Sequence, residues 1–415
     1  MFRRNATLAA VGNFSTTLAL AAVIITTARL GAPEDVGRFS YALALAAPIY
    51  LLASLRLRDV SSTEPDESYS IAVFFAVSIV THALAFALLV MLASMLSFDR
   101  VTILTTVAIG LWKTVTSLSD VVYGFHQRAT TMSVIAGSQL VRCVATIASF
   151  VLVFYATRQI HLSLMAVCVV NLLLFGVVDF WAIRGELSLT SRSDMLYRVL
   201  RIVLQTFPLG IAGAIVSLNM LIPRWLLESH FSLDLVGVFS ALAFGTRLGT
   251  PLMQAVGQTA SRRMASAVQN RQPDQFKRIL FGDRAVASIM LGAILIAIGW
   301  FAGPSVLKII YGSAYHVSRL AAGLMVSYAL LIYASTFLTY GLIAARRHRS
   351  QLMILSVTVV TGLVCGLLLV PELGIEGACL SLVASGVVRL IGTGVTMNSI
   401  VAQLRSEPSV RCSVR

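Results

Sequence analysis

Five basic residues lie inside long apolar stretches, where a charged side chain is costly. They are Lys113, Arg142, Arg224, Arg247 and Arg389. On insertion scales, a basic residue at the centre of a bilayer costs ~2.5 to 3.5 kcal/mol. Such residues therefore face a protein interior or a water-filled cavity, and they mark candidate functional sites.

Small and polar residues share a helix face with each of these cations. Arg142, for example, lies on one stripe with Ser138 and Thr146 at helical spacing. The other stripes are Gly213 and Ser217 for Arg224, Ser240 and Gln254 for Arg247, Ser381 and Ser385 for Arg389, and Ser117 and Asp120 for Lys113. Stripes of this kind fit a face turned toward a bundle interior, so we expect these side chains to avoid lipid.

The arginines lack obvious acidic partners in the sequence. Only Asp120 and Asp179 lie within the apolar stretches, and both are placed near the cytoplasmic edge. A guanidinium group binds phosphate through two parallel hydrogen bonds. We therefore predict a phosphate-bearing substrate; the alternatives are hydrogen bonds to backbone carbonyls that bridge helices and, for Arg224, a position at the outer interface. The predicted substrate-binding cations are Arg142, Arg224, Arg247 and Arg389.

Lys113 and Asp120 lie seven residues apart on one helix face. This spacing favours a buried or water-bridged ion pair over a role in substrate binding, although Lys113 can still line a cavity. The predicted polar lining of the cavity comprises Asn13, Thr17, Lys113, Ser240 and Gln254.

No motif for catalysis or metal binding is present in the sequence. The six histidines are scattered without metal-ligand spacing, the five cysteines include no C-x-x-C pair, and there is no Gly-x-x-x-x-Gly-Lys-Ser/Thr loop for nucleotide phosphates. We expect no catalytic residues, no metal and no cofactor. The net charge of +14 is explained by membrane topology, so we expect no nucleic-acid partner.

The composition is that of an integral membrane protein. The chain is 57% hydrophobic and 12% charged, with a mean hydropathy of +0.86. Its apolar runs are about 20 residues long, which predicts an all-α protein of about 12 transmembrane helices. The predicted spans are 8–28, 36–55, 70–96, 101–122, 132–155, 162–183, 202–226, 236–257, 285–302, 320–344, 352–370 and 374–401.

The basic residues predict the orientation of these spans. With the N-terminus in the cytoplasm, 21 Lys and Arg residues fall on the inner side and six on the outer side, which predicts that both termini are cytoplasmic. The basic segment 260–278 fits this topology; the alternative is an interfacial helix that contacts anionic lipid.

A short internal repeat indicates a duplicated architecture. Val36-Gly37-Arg38-Phe39-Ser40 matches Val236-Gly237-Val238-Phe239-Ser240 six spans later, so both copies enter the membrane from the same side. This predicts six-helix bundles at 1–190 and 191–404, related by a pseudo-two-fold axis along the membrane normal, with a cytoplasmic tail at 405–415. We also expect Pro48 and Pro251 to interrupt corresponding helices, as broken helices do at transport sites.

Three stretches carry a resemblance to a known family. They are Gly237-Val238-Phe239-Ser240 followed by Pro251, Tyr311-Gly312-Ser313-Ala314-Tyr315, and Pro371-Glu372-Leu373-Gly374-Ile375-Glu376-Gly377-Ala378. The chain resembles bacterial polysaccharide flippases of the Wzx type, in the superfamily that also contains multidrug exporters. In such flippases basic residues lie on the first, second, seventh and eighth helices. Arg224 and Arg247 match the last two, whereas the first span has Asn13 and Thr17.

The resemblance implies a flippase, not an enzyme, that moves an undecaprenyl-pyrophosphate-linked oligosaccharide across the bacterial inner membrane by alternating access. Its expected partners are this anionic lipid-linked oligosaccharide, membrane lipids, and the polymerase and export machinery of exopolysaccharide synthesis. The alternatives are a membrane polysaccharide polymerase or glycosyltransferase, and a drug exporter of the same superfamily. The short outer connections disfavour an enzyme, and the lack of a mid-membrane carboxylate disfavours a cation-coupled drug exporter.

Overall fold

The structure, a computed structural model, is helical throughout its described residues. It describes residues 2–63, 70–96, 98–128, 131–181, 192–281, 298–345 and 347–406. Ten helices in this part of the chain are long and apolar enough to cross a membrane. The all-α class and the multi-pass membrane protein expected from composition are therefore confirmed.

The helices follow one another through short turns. In chain order they are α1 (Phe2–Leu30), α2 (Pro33–Ser54), α3 (Leu57–Thr63), α4 (Ile71–Met95), α5 (Arg100–Arg128), α6 (Met132–Thr157), α7 (Ile160–Leu174) with a π-helical turn at Phe175–Phe180, α8 (Arg192–His230), α9 (Leu233–Leu248), α10 (Thr250–Gln269), α11 (Pro273–Phe281), α12 (Ile298–Tyr311), α13 (Arg319–Ala344), α14 (His348–Leu373) and α15 (Ile375–Ser406).

Two predicted spans differ from the observed helices. The span 236–257 is divided, because α9 ends at Leu248 and α10 begins at Thr250. The span 285–302 lies largely outside the described residues, which include only its end in α12. The count of twelve spans stays a prediction.

Only one of the two expected proline interruptions occurs. Pro251 lies in the first turn of α10, directly after the break. Pro48 lies inside the continuous helix α2, so the expectation that it ends its helix is wrong. In membrane helices, neighbouring groups can satisfy the carbonyl that a proline leaves without a donor, and the helix then continues.

The chain divides into two compact units, Met1–Ala241 with Ile310–Tyr315 (unit 1) and Leu242–Ile309 with His316–Arg415 (unit 2). The division falls inside α9. The predicted bundles at 1–190 and 191–404 therefore stay a prediction.

Within unit 1, the duplicated segments lie against each other. A Cβ on Gly37 would overlap the carbonyl oxygen of Leu233, and a Cβ on Gly237 would overlap that of Pro33. The two matching glycines thus allow the backbones of α2 and α9 to meet directly. The short repeat seen in the sequence has a packing reason, since only glycine permits this approach.

Unit 2 buries the apolar side of the basic segment 260–278. Met264 on α10 and Phe276 on α11 pack with Leu342 of α13 and Met397 of α15 in one buried cluster. The charged side chains Arg263, Arg271, Lys277 and Arg278 are exposed. The apolar face of this segment is therefore covered by protein, which is not the arrangement expected of a helix lying in the membrane interface.

We expect Gly237→Ala to lower thermal stability, because its Cβ would overlap backbone atoms that cannot move independently. Overpacking of this kind costs on the order of 1 to 3 kcal/mol. The matched control is Gly137→Ala on α6, where an added Cβ meets no atom within 4 Å. Loss of the monodisperse peak on heating in detergent measures both variants. An unchanged or higher midpoint for Gly237→Ala would contradict the close approach.

Candidate functional site

The first predicted cation, Arg142, is the centre of a buried polar network in unit 1. Arg142 is 8% exposed. Its Nη2 donates to Asp179 Oδ2 at 2.5 Å and to Ser119 Oγ at 2.6 Å, and its Nη1 donates to Asn171 Oδ1 at 3.0 Å. Ser138 donates to the other oxygen of Asp179 at 2.8 Å. This network joins α5, α6 and α7.

The expectation that Arg142 lacks an acidic partner is therefore wrong. The π-helical turn Phe175–Phe180 contains Asp179 and follows α7, which carries Asn171. Residues eight apart in a continuous α-helix differ by about 80° around the axis, and a wider turn reduces that angle. Helical side chains also tilt toward the N-terminus, which brings the Asp179 carboxylate toward mid-depth. Its paired guanidinium stabilises the protein core.

Arg224 also binds protein groups. It is 6% exposed. Its Nε donates to Ser240 Oγ at 3.0 Å, its Nη1 donates to the Met220 carbonyl at 2.6 Å, and its guanidinium lies 5.5 Å from the centre of the Phe239 ring. Arg224 thus connects α8 to α9 in the way the helix-bridging alternative describes. Ser240, a predicted cavity residue, is its buried partner.

The other polar candidates in unit 1 have local contacts. Asp120 forms an ion pair with Arg58 at 3.4 Å, and Lys113 adds a favourable electrostatic interaction to the same carboxylate. The Asn13 carbonyl accepts the Thr17 hydroxyl at 3.1 Å, and both residues are half-buried. The Gln254 side chain lies outside the described part of the structure.

Arg247 and Arg389 form the second group, in unit 2. The buried phenol of Tyr328 interacts electrostatically with both guanidinium groups. Among the described residues, neither arginine has a carboxylate partner. The Nε of Arg389 is buried without a hydrogen-bond partner in the described structure, whereas Arg247 is exposed. The structure therefore brings Arg247 and Arg389 to one tyrosine.

The helix break lies beside Arg247. Gly249 separates α9 from α10, and Tyr333 of α13 contacts both sides of this break. The Tyr333 hydroxyl donates to the Thr246 carbonyl at 2.6 Å and accepts the Gly249 N–H at 3.1 Å. Sequence reasoning missed Tyr328 and Tyr333, since a tyrosine within an apolar helix has no distinctive spacing. The available signal was the pair Gly249 and Pro251, which indicates a break that needs a polar neighbour.

The chemistry available at Arg247 and Arg389 is anion binding. Two guanidinium groups without protein carboxylates can donate several charge-assisted hydrogen bonds to phosphate oxygens. The described residues contain no cluster of His, Cys, Asp and Glu side chains that could hold a metal ion. The arrangement is that of a binding site for a negatively charged group.

We expect Arg142→Met to destabilise the protein, because it leaves the Asp179 carboxylate buried without its charge partner. Breaking a buried ion pair in this way costs ~3 to 5 kcal/mol. The double variant Arg142→Met with Asp179→Asn should recover part of the loss, since no buried charge remains. Thermal midpoints in detergent measure the effect, with Arg263→Met on the exposed face of α10 as control. Equal midpoints for Arg142→Met and the control would contradict the role of the network.

Comparison with known proteins gives a consistent result. The chain matches no family model. It is 23% identical over 386 residues to the capsular polysaccharide biosynthesis protein CapF of Staphylococcus aureus, covering 92% of this chain and 95% of that protein. The sequence resemblance to polysaccharide flippases is therefore matched by a relative of nearly equal length.

Solved transporter structures share the fold. An inward-facing multidrug resistance MATE family transporter of the MOP superfamily aligns with a TM-score of 0.70 at 14% identity, covering 94% of this chain and 95% of that one. A MOP superfamily transporter from Pyrococcus furiosus aligns with a TM-score of 0.65 at 15% identity, covering 97% and 95%. The chain thus has the fold of MOP superfamily transporters, and the resemblance to a polysaccharide flippase of this superfamily is confirmed.

Proposed function

We propose that this protein is a flippase that moves an undecaprenyl-pyrophosphate-linked oligosaccharide across the bacterial inner membrane for surface polysaccharide or exopolysaccharide synthesis. The observation that carries the proposal is the pair Arg247 and Arg389, which share Tyr328 and have no carboxylate partner among the described residues. Similarity to a capsular polysaccharide biosynthesis protein supports the class of substrate.

The pyrophosphate is the part of this substrate that two guanidinium groups recognise best. It presents several anionic oxygens, and each arginine can bind two of them through parallel hydrogen bonds. A cation near mid-depth would offset the cost of moving the pyrophosphate through a low-dielectric region. Arg142 and Arg224 are excluded from this role, because their guanidinium groups already bind Asp179 and Ser240.

In this proposal the protein performs transport without chemical change to the substrate. Both termini lie in the cytoplasm, and alternating access exposes the arginines first to one leaflet and then to the other. The remaining partners are membrane lipids and the polymerase and export machinery that use the flipped oligosaccharide. A polymerase or glycosyltransferase would need a catalytic group, and neither arginine supplies one at neutral pH.

A drug exporter of the same superfamily is the second candidate, and the multidrug transporters among the structural neighbours favour it. The charge at the site separates the two candidates. Arg247 and Arg389 repel the cationic, lipophilic compounds that an acidic pocket would attract, and they attract anions. An exporter built on this site would therefore carry anionic compounds.

We expect Arg247→Ala to abolish export of the polysaccharide while the protein still inserts into the membrane. Arg247→Lys should restore part of the export, because an ammonium group keeps the charge but cannot bind phosphate through two parallel bonds. The matched control is Arg263→Ala, which removes an exposed arginine from α10. Normal export by Arg247→Ala at wild-type expression would remove Arg247 from the site.

Deletion of the gene distinguishes the proposed classes. We expect finished oligosaccharide units linked to lipid to accumulate on the inner leaflet, as measured by extraction and mass spectrometry with a leaflet-specific label. Single units on the outer leaflet would identify a polymerase instead. Unchanged lipid-linked intermediates together with increased sensitivity to an anionic compound would identify a drug exporter.

A further inference from the structure

The break between α9 and α10 leaves backbone groups in need of partners. In a continuous helix, the N–H of Gly249 would donate to the carbonyl of Gly245, and the carbonyl of Thr246 would accept from Thr250. Pro251 has no N–H, so it offers no donor to the carbonyl of Arg247. In the hydrocarbon core, each unsatisfied backbone group costs several kcal/mol, so a broken helix needs partners from its neighbours.

One side chain of α13 supplies two of these partners. The Tyr333 hydroxyl donates its proton to the Thr246 carbonyl at 2.6 Å and accepts the Gly249 N–H at 3.1 Å. A hydroxyl can do both at once, because it carries one donor and two acceptor lone pairs. Tyr333 therefore stands in for the hydrogen bonds that the helix would otherwise make across the break.

Gly249 is matched to this contact. A Cβ at this position would lie 2.5 Å from the Cζ and Oη atoms of Tyr333, which is inside van der Waals contact. The ring and the glycine backbone thus fit together only without a side chain. The close fit fixes the direction in which α9 ends.

We propose that Tyr333 is a positioning residue for Arg247, a proposal that rests on the proposed anion site. Its hydroxyl holds the end of α9 through Thr246, the residue directly before Arg247. The same helix α13 carries Tyr328, which interacts with Arg247 and Arg389. Helix α13 therefore sets both the backbone direction of Arg247 and the surroundings of its guanidinium group.

The mechanism makes the break a two-state element. When Tyr333 holds both groups, α9 and α10 stay separate and Arg247 keeps one orientation. When Tyr333 releases them, Thr246 and Gly249 can form ordinary helical hydrogen bonds, and Arg247 turns with the helix. Binding of an anion to Arg247 is thereby linked to the contact between α13 and the break.

The test compares Tyr333→Phe, which removes the hydroxyl and keeps the ring, with the control Tyr155→Phe on the exposed side of α6. The binding probe is farnesyl pyrophosphate in detergent, with farnesol as the neutral comparison, measured by isothermal titration. We expect the Kd of Tyr333→Phe to rise at least about tenfold. Hydrogen–deuterium exchange of the peptide covering residues 245–253 should become faster, while Tyr155→Phe changes neither quantity.

A double-mutant cycle separates positioning from a general structural effect. In an Arg247→Gln background, Tyr333→Phe should not weaken probe binding further, because Tyr333 acts through Arg247. An equal loss in both backgrounds would overturn the proposal, as would an unchanged Kd for Tyr333→Phe in the native background.

The proposed function can fail separately. A wild-type protein that does not bind farnesyl pyrophosphate would contradict the anion site. Exchange of residues 245–253 then decides the role of Tyr333 alone: faster exchange in Tyr333→Phe upholds it as the residue that holds Arg247, and unchanged exchange overturns it.

Discussion

A guanidinium group in a bilayer core has no bulk water to bind, so it must find acceptors in the protein or on a ligand. Arg142 and Arg224 satisfy this requirement within unit 1, through Asp179 and Ser240. Arg247 and Arg389 in unit 2 have no carboxylate partner in the described structure. The same constraint therefore divides the intramembrane arginines into a pair that stabilises the fold and a pair available to an anion.

Backbone groups obey the same rule as charged side chains. The helix that carries Arg247 ends at Leu248 and resumes at Thr250, and the Tyr333 hydroxyl binds both sides of the gap. The π-helical turn at Asp179 is a second departure from regular helix, and it too lies beside an arginine. Irregular backbone in this protein thus occurs where a polar group has to be placed, and a neighbouring side chain makes it tolerable.

The division between the arginines also explains why this fold can serve different cargoes. Multidrug transporters share the architecture at about 14% identity, so the helices alone do not select a substrate. Selection depends on the few charged groups left without protein partners. Here those groups are cations, and a lipid-linked pyrophosphate is the substrate class that suits them.

The sequence alone determined the all-helical membrane class, the ten long apolar helices within the described residues and the five intramembrane cations, because hydropathy and charge cost depend on local composition. It also located the glycine pair at Gly37 and Gly237 through their repeat. Only the tertiary structure decided which arginines are paired. A long side chain reaches across helices, and the π-helical turn at Asp179 changes a direction that regular periodicity cannot predict. The partnership of Tyr333 with Gly249, 84 residues apart, likewise depends on helix packing that no local pattern contains.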